Sequence, residues 1–209
     1  MGKIEQLRVL ITGGASGIGS AMAKLLTKEG ARVHVCDVST EALKNLPTNL
    51  PGVTGTLADV GNEADVDRLF ADLTAQLGGL DVLVNNAGIA GPTCPLEETS
   101  FADWQRTLDV TLTGQFLCAR RAVPLLKKAG GGSIINMASV AARLGFPNRT
   151  AYSAAKWGVI GLTETWAMEF GPVGIRVNAI LPGIVAGERQ NQVLQARAKV
   201  EGLGFDEVK

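Results

Sequence analysis

Short apolar segments alternate with helical patterns along the chain, and this alternation limits the possible folds more than any other feature of the sequence. Six segments have the length and apolar content of strands buried on both faces: 7–11, 31–36, 53–57, 80–84, 133–137 and 175–180. Helical patterns separate them, and right-handed crossovers join neighbouring parallel strands. We therefore expect an α/β fold in which a doubly wound parallel sheet of six strands lies between two layers of helices.

The composition excludes several classes of protein. Lys and Arg together number 20 and so do Asp and Glu, which leaves no electrostatic footprint for nucleic acid or an anionic membrane. Cys36, Cys94 and Cys118 are odd in number and lack paired spacing, which argues against a disulfide framework or a zinc site and fits a reducing cytoplasm. No apolar run approaches membrane-spanning length. With 209 residues, 46% of them hydrophobic, we expect one cytoplasmic domain over residues 1–209.

A glycine-rich turn lies between the first strand and the helical pattern that follows it. Residues 12–19 read Thr-Gly-Gly-Ala-Ser-Gly-Ile-Gly. Glycines let the backbone approach a pyrophosphate, and the free N–H groups of a helix N-terminus point at it. Glycine spacing alone also suits any tight turn, so the inference depends on the position between strand and helix. This position predicts that residues 13–19 bind a dinucleotide.

Acidic residues follow the second and third strands. The carboxylate of Asp37 can accept hydrogen bonds from both hydroxyls of an adenosine ribose and would repel a 2′-phosphate, which predicts NAD rather than NADP. The alternative is that Asp37 caps the helix that begins near Ser39. Asp59 and Val60 come just after the third strand, where they could touch an adenine ring.

The only tyrosine of the chain, Tyr152, precedes Lys156 by four residues. Four residues are about one helical turn, so the two side chains would be neighbours on one face. A nearby ammonium lowers the pKa of a phenol from about 10, and Tyr152 could then act as a general acid or base. Ser139, after the fifth strand, offers a hydroxyl that could polarise a substrate oxygen. The alternative is that Tyr152 and Lys156 lie on a solvated helix face.

All of these motifs follow predicted strands, as do two further segments, 85–88 (Asn-Asn-Ala-Gly) and the pair Pro182 and Gly183. The carboxyl ends of parallel strands share one edge of a sheet, and ligands bind there. We therefore expect one site at that edge.

Together these residues resemble the short-chain dehydrogenase/reductase family, of the type called classical. The glycine motif of the family appears at 12–19 and its Asn-Asn-Ala-Gly signature at 85–88. Its Ser, Tyr and Lys match Ser139, Tyr152 and Lys156, and the segment 176–183 also matches. The resemblance covers roughly residues 5–190.

The resemblance implies a Rossmann-type fold and an NAD-dependent oxidoreductase that interconverts a small secondary alcohol and a ketone, as a homodimer or homotetramer. It implies that Tyr152 transfers the proton and Ser139 positions the substrate oxygen. It implies that Lys156 lowers the pKa of Tyr152 and holds the nicotinamide ribose. The implied cofactor contacts, besides Tyr152 and Lys156, are Gly13, Ser16, Gly17, Ile18, Gly19, Asp37, Asp59, Val60, Asn86, Ala87, Gly88, Pro182, Gly183 and Val185.

The sequence departs from the family pattern in three places. Thr111, on a helix predicted from about residue 101 to 128, takes the place of an Asn that is the fourth catalytic residue of the family. Gly187 aligns with a common Thr, and we expect the usual C-terminal portion, with a seventh strand, to be absent. Thr111 and that expected absence motivate an alternative function, a cofactor-binding protein with little or no turnover.

Overall fold

The six predicted strands form one parallel sheet. The structure is a computed structural model that describes residues 4–208. The strands are β1 (Arg8–Thr12), β2 (Arg32–Asp37), β3 (Thr54–Leu57), β4 (Val82–Asn85), β5 (Gly132–Met137) and β6 (Ile175–Ile180). Their order is β3-β2-β1-β4-β5-β6, and every neighbouring pair is parallel. The predicted fold class is therefore confirmed, with the reversal of strand order between β1 and β4.

Helices connect the strands and cover both faces of the sheet. They are α1 (Gly17–Lys28), α2 (Thr40–Lys44), α3 (Leu46–Asn49), α4 (Glu63–Leu77), α5 (Phe101–Leu108), α6 (Gly114–Lys128), α7 (Thr150–Phe170), α8 (Glu188–Glu201) and α9 (Phe205–Val208).

Alternate residues of β1 belong to different apolar clusters, because successive side chains of a strand point to opposite faces. Leu10 packs in the cluster that contains Leu69 of α4 and Leu126 of α6. Val9 and Ile11 pack in the cluster that contains Ala23 of α1. The sheet thus lies between two helical layers, as predicted.

The predicted helix from 101 to 128 is interrupted. A turn of π-helix at Asp109–Thr113 separates α5 from α6 and contains Thr111. Such turns insert one extra residue into a helix and occur frequently at functional sites.

The last strand, β6, lies at one edge of the sheet, and within residues 4–208 it pairs only with β5. Beyond it, α8 and α9 pack on each other through Leu194, Ala198, Phe205 and Val208. Within the described range, no helix combines the length and the apolar character needed to cross a bilayer.

Candidate active site

The glycine-rich loop is clamped between the ends of β1 and β4. The hydroxyl of Thr12 accepts the backbone N–H groups of Asn86 (3.0 Å) and Ala87 (2.9 Å). The side-chain amide of Asn86 donates to the carbonyls of Thr12 and Gly13, both at 2.9 Å. Gly13 has a positive φ of 60°, and a Cβ there would lie 3.1 Å from Cα of Ala87. Two distant segments thus hold the loop in one conformation.

Thr12 was not among the predicted site residues, although it stands directly before the first glycine. Its position, a hydroxyl residue at the end of a strand that leads into the loop, is the signal that could have identified it. The side chain of Asn86 supports the loop through its bonds to Thr12 and Gly13, and its predicted contact with the cofactor stays a prediction.

The first turn of α1 is open on the side of the loop. Gly17 has a φ of 53°, and a Cβ added there would meet nothing within 4 Å. Ser16, the N-cap, makes no side-chain capping bond, and the side chain of Ile18 is exposed. Gly19 is buried against Gly13. The N-terminal N–H groups of a helix lack intrahelical partners, so this open turn fits the pyrophosphate of a dinucleotide.

Asp37 lies at the edge of this loop with its carboxylate held in place. Its oxygens accept the N–H groups of Ala15 (3.2 Å) and Ser39 (3.1 Å). The alternative role of Asp37 as a helix cap is wrong, because Ser39 caps α2 by accepting the N–H of Ala42. A carboxylate has about four lone-pair sites, so Asp37 retains capacity for two ribose hydroxyls.

Asp59 and Val60 make contacts within the protein. Asp59 forms an ion pair with Arg106 (2.7 Å) and accepts the N–H of Gly61 (2.9 Å). The side chain of Val60 is buried in the core beside Gly114. Their contact with the adenine stays a prediction. Only their backbone atoms and the free lone pairs of the Asp59 carboxylate could make it.

Lys156 is a buried ammonium beside Tyr152. It is only 4% exposed, its Nζ lies 5.7 Å from the centre of the Tyr152 ring, and it donates to the carbonyl of Met137 at 2.6 Å. Burial, assisted by the positive charge of Arg189, lowers the pKa of Lys156 from 10.5 to about 7. The alternative of a solvated helix face is therefore wrong for this pair.

Ser139 follows β5 and begins the turn that leads toward α7. It is largely buried, and its hydroxyl accepts the N–H of Ala141 at 3.2 Å. The turn Val140–Ala142 packs against α7, the helix that carries Tyr152 and Lys156. The structure thus brings β5 and α7 together at the predicted edge.

Thr111 lies close to the same ammonium. It is fully buried in the π-helical turn, and its hydroxyl accepts the N–H of Ile89 at 3.2 Å. A Cβ on Gly88 would lie 3.5 Å from Oγ1 of Thr111 and 3.6 Å from Nζ of Lys156. Gly88 therefore lies between the two side chains.

The segment after β6 completes this edge. The N–H of Val140 donates to the carbonyl of Pro182 at 3.1 Å, which holds the segment next to Ser139. Gly183, Ile184 and Val185 are exposed there. The predicted segment 182–185 thus lies beside Ser139 and the turn that follows β5.

A buried polar network lies below the site. The side-chain amide of Asn85 donates to Asn136 (2.9 Å), and the amide of Asn136 donates to Thr163 (2.9 Å). Gln115 donates to the carbonyl of Thr111 (3.2 Å) and to that of Met137 at the end of β5 (3.4 Å). These bonds tie together β4, β5, α7 and the π-helical turn.

Arg149 is a site residue that the sequence analysis missed. Its guanidinium carbon lies 4.7 Å from the centre of the Tyr152 ring, and its Nη2 donates to the carbonyl of Ala90 at 2.8 Å. Burial lowers its pKa from the ordinary value. The available signal was its spacing, since Arg149 precedes Tyr152 by three residues at the start of α7.

Comparison with known proteins identifies the family. The model of the short chain dehydrogenase family matches residues 7–198. Levodione reductase of Leifsonia aquatica is 39% identical over 183 residues, 85% of this chain and 68% of that protein. Cis-4-hydroxycyclohexanecarboxylate dehydrogenase of Sinomonas cyclohexanicum is 42% identical over 190 residues, 88% of this chain and 75% of that protein.

A solved structure of NAD⁺-bound xylitol dehydrogenase superposes with a TM-score of 0.90 at 32% identity, over 95% of this chain and 78% of that one. Fold, family model and relatives agree with the resemblance inferred from the motifs. The chain therefore belongs to the short-chain dehydrogenase/reductase family, and it is an oxidoreductase that interconverts alcohol and ketone groups with a nicotinamide cofactor.

Proposed function

We propose that this oxidoreductase uses NAD rather than NADP and works through Tyr152, Ser139, Lys156 and Thr111. The observation that carries the proposal is the buried ammonium of Lys156 beside the half-buried phenol of Tyr152. A buried charge with few partners is costly, and such groups concentrate at functional sites.

The bound nicotinamide supplies the chemistry of hydride transfer. Tyr152 exchanges a proton with the substrate oxygen, and the hydroxyl of Ser139 orients that oxygen. Lys156 lies beside the ring of Tyr152, and its bond to the carbonyl of Met137 holds it in position. Thr111 relays protons toward Lys156, because a hydroxyl both donates and accepts.

The remaining predicted residues hold the cofactor. Residues 16–19 at the start of α1 bind the pyrophosphate, and Gly13 allows the backbone to approach it closely. Asp37 binds the adenosine ribose, and Lys156 binds the nicotinamide ribose. Further cofactor contacts come from Asp59, Val60, Asn86, Ala87, Gly88, Tyr152, Pro182, Gly183 and Val185.

The preference for NAD rests on charge. Asp37 would face the 2′-phosphate of NADP, and neither Ser16 nor Val38 supplies a positive charge to offset it. The measurement is the ratio of the dissociation constants of NADH and NADPH, from fluorescence titration. NADPH bound as tightly as NADH, or tighter, would overturn the assignment.

The reaction is tested by NADH absorbance with a panel of secondary alcohols. Wild-type protein should oxidise at least one of them. Tyr152→Phe should lose turnover by at least about a hundredfold while its dissociation constant for NADH changes little, because only the proton-transferring hydroxyl is removed. A rate for Tyr152→Phe within tenfold of wild type would remove Tyr152 from this role. NADH binding without turnover on any alcohol or ketone would favour the alternative, a cofactor-binding protein.

Assembly and location belong to the same proposal. We expect a homodimer or homotetramer, supported by the exposed ring of Phe116 beside a groove of about 270 Å³ between α6 and α7. Light scattering would measure the mass, and a monomer at assay concentration contradicts this expectation. A reducing cytoplasm fits the free thiols of Cys36, Cys94 and Cys118.

A further inference from the structure

The guanidinium of Arg149 is buried with unused hydrogen-bonding capacity. The residue is 5% exposed, and one of its nitrogens, Nη2, donates to the carbonyl of Ala90. Its Nε is buried and has no acceptor among the residues that the structure describes. A buried N–H without a partner is costly, and native proteins contain few of them. The unpaired Nε of Arg149 therefore calls for an acceptor that the described residues 4–208 do not supply.

Positive charge accumulates around Tyr152, and the described side chains provide no carboxylate in an ion pair with it. Arg149 stacks on the ring of Tyr152, and Lys156 lies near the same ring. The charge of Arg189 acts on both, because it contributes to the lowered pKa of Lys156 and of Arg149. Among the side chains that the structure describes, no Asp or Glu forms an ion pair with any of these three residues. The site therefore favours an anion.

The cofactor pyrophosphate has a different position available to it. The open first turn of α1 provides the N–H groups for that anion, whereas Arg149 lies at the start of α7 against Ala90 and Tyr152. The anion that Arg149 can bind is therefore one next to the reacting group.

We propose that the substrate is a hydroxy acid or the corresponding keto acid, whose carboxylate is bound by Arg149 while its carbinol oxygen meets Tyr152. A guanidinium matches a carboxylate through two parallel N–H donors, and such charge-assisted bonds are among the strongest in proteins. The guanidinium lies 4.7 Å from the Tyr152 ring, so the carboxylate and the carbinol carbon are separated by only a few bonds. This inference rests on the proposed function, and the carboxylate itself undergoes no chemical change.

The test compares acids with their neutral primary amides. The probes are 3-hydroxybutyrate and 4-hydroxypentanoate, each paired with its amide, and the readout is kcat/KM from NADH absorbance at low salt. We expect the kcat/KM of wild type to be about ten- to a hundredfold higher for the acid than for the amide in at least one pair. This ratio corresponds to the loss of one charge-assisted hydrogen bond. Arg149→Gln should remove most of that preference, and Arg149→Lys should restore part of it. Arg120→Gln, which removes an exposed arginine, is the matched control and should keep the wild-type ratio.

A purely structural role of Arg149 predicts a different pattern. Loss of the stacking on Tyr152 would lower the rates for acid and amide together and leave their ratio unchanged. An unchanged ratio in Arg149→Gln, or a wild-type enzyme that uses the amides as well as the acids, overturns the inference while leaving the oxidoreductase proposal intact.

Binding without turnover separates the two proposals. Calorimetric titration of the NAD-loaded protein with butanoate and with butanamide measures recognition alone. Butanoate binding that is lost in Arg149→Gln supports the inference even where no probe is oxidised. Equal affinity of wild type for the two ligands, or no butanoate binding together with no preference in turnover, overturns it. Where Arg149→Gln melts below assay temperature, the same comparisons are made with Arg149→Lys, which should bind butanoate more weakly than wild type.

Discussion

Replacement of Lys156 by Met should change how the stability of the protein depends on pH. In the folded protein the pKa of Lys156 is lowered from 10.5 to about 7, chiefly by burial and further by Arg189. The folded state therefore binds fewer protons than the unfolded state between these two values. The free energy of unfolding must rise as pH increases through this window, and the contribution is lost as pH falls through about 7.

The size of the effect follows from the same shift. At about 1.4 kcal/mol per pKa unit, the full displacement corresponds to about 5 kcal/mol. In the folded protein, Lys156 is about half deprotonated at pH 7 and almost fully deprotonated at pH 9. The linkage relation then gives a rise of about 2 kcal/mol in wild-type stability relative to Lys156→Met.

The assay is urea unfolding of the cofactor-free protein at pH 7, 8 and 9, with the difference between wild type and Lys156→Met taken at each pH. Other titrating groups cancel in this difference. Lys24→Met, which removes an exposed lysine, is the control and should give a difference that does not change with pH. A difference for Lys156→Met that also stays constant would show that the ammonium is well solvated in the folded protein, and would refute the burial argument.

Three further substitutions test parts of the site. Thr111→Asn should leave the fold intact and should not lower turnover, because an amide can accept the N–H of Ile89 and reach further toward Lys156; a hundredfold loss in kcat would show that the site is built around threonine. Thr12→Val should lower the free energy of unfolding by about 2 kcal/mol or more in urea, since it leaves two backbone N–H groups without an acceptor. It should also weaken NADH binding, and unaltered binding would show that the loop keeps its shape without this clamp. Asp37→Ala should bring the dissociation constants of NADH and NADPH closer together, mainly because NADH binds more weakly. Fluorescence titration measures both constants.

Local sequence patterns were sufficient for the sheet and for most helices. Apolar runs identified all six strands, but the run 80–84 became a strand at Val82–Asn85, because the ends of a strand depend on the ladders of its neighbours. The π-helical turn at Asp109–Thr113 left no trace in the pattern, since one inserted residue hardly alters the apolar period of a long helix. Pro47 lies in the first turn of the short helix α3, where a proline is tolerated, so a proline in the sequence did not exclude a helix there.

The site residues were predictable where the spacing within a short motif determines how its side chains are placed. Tyr152 and Lys156 lie one turn apart on any helix, and a glycine turn between a strand and a helix favours a bound anion. Arg149 was missed because its burial depends on the carbonyl of Ala90, which is 59 positions away in the sequence. Pairings of that kind come from tertiary packing, and the spacing of Arg149 to Tyr152 in the sequence does not by itself predict them.

The clamp on the glycine loop also determines when the site can form as the chain folds. Thr12 meets Asn86 across 74 positions, because the strand order places β4 directly beside β1. A nascent chain of which only β1, α1 and β2 have been synthesised contains the whole glycine motif. It still lacks the contacts with Asn86 and Ala87 that hold the motif in its folded conformation. The loop therefore acquires these contacts only after β4 has docked beside β1. Mutations that slow the docking of β4 should delay the appearance of NADH-binding molecules during refolding more than they delay the formation of helix.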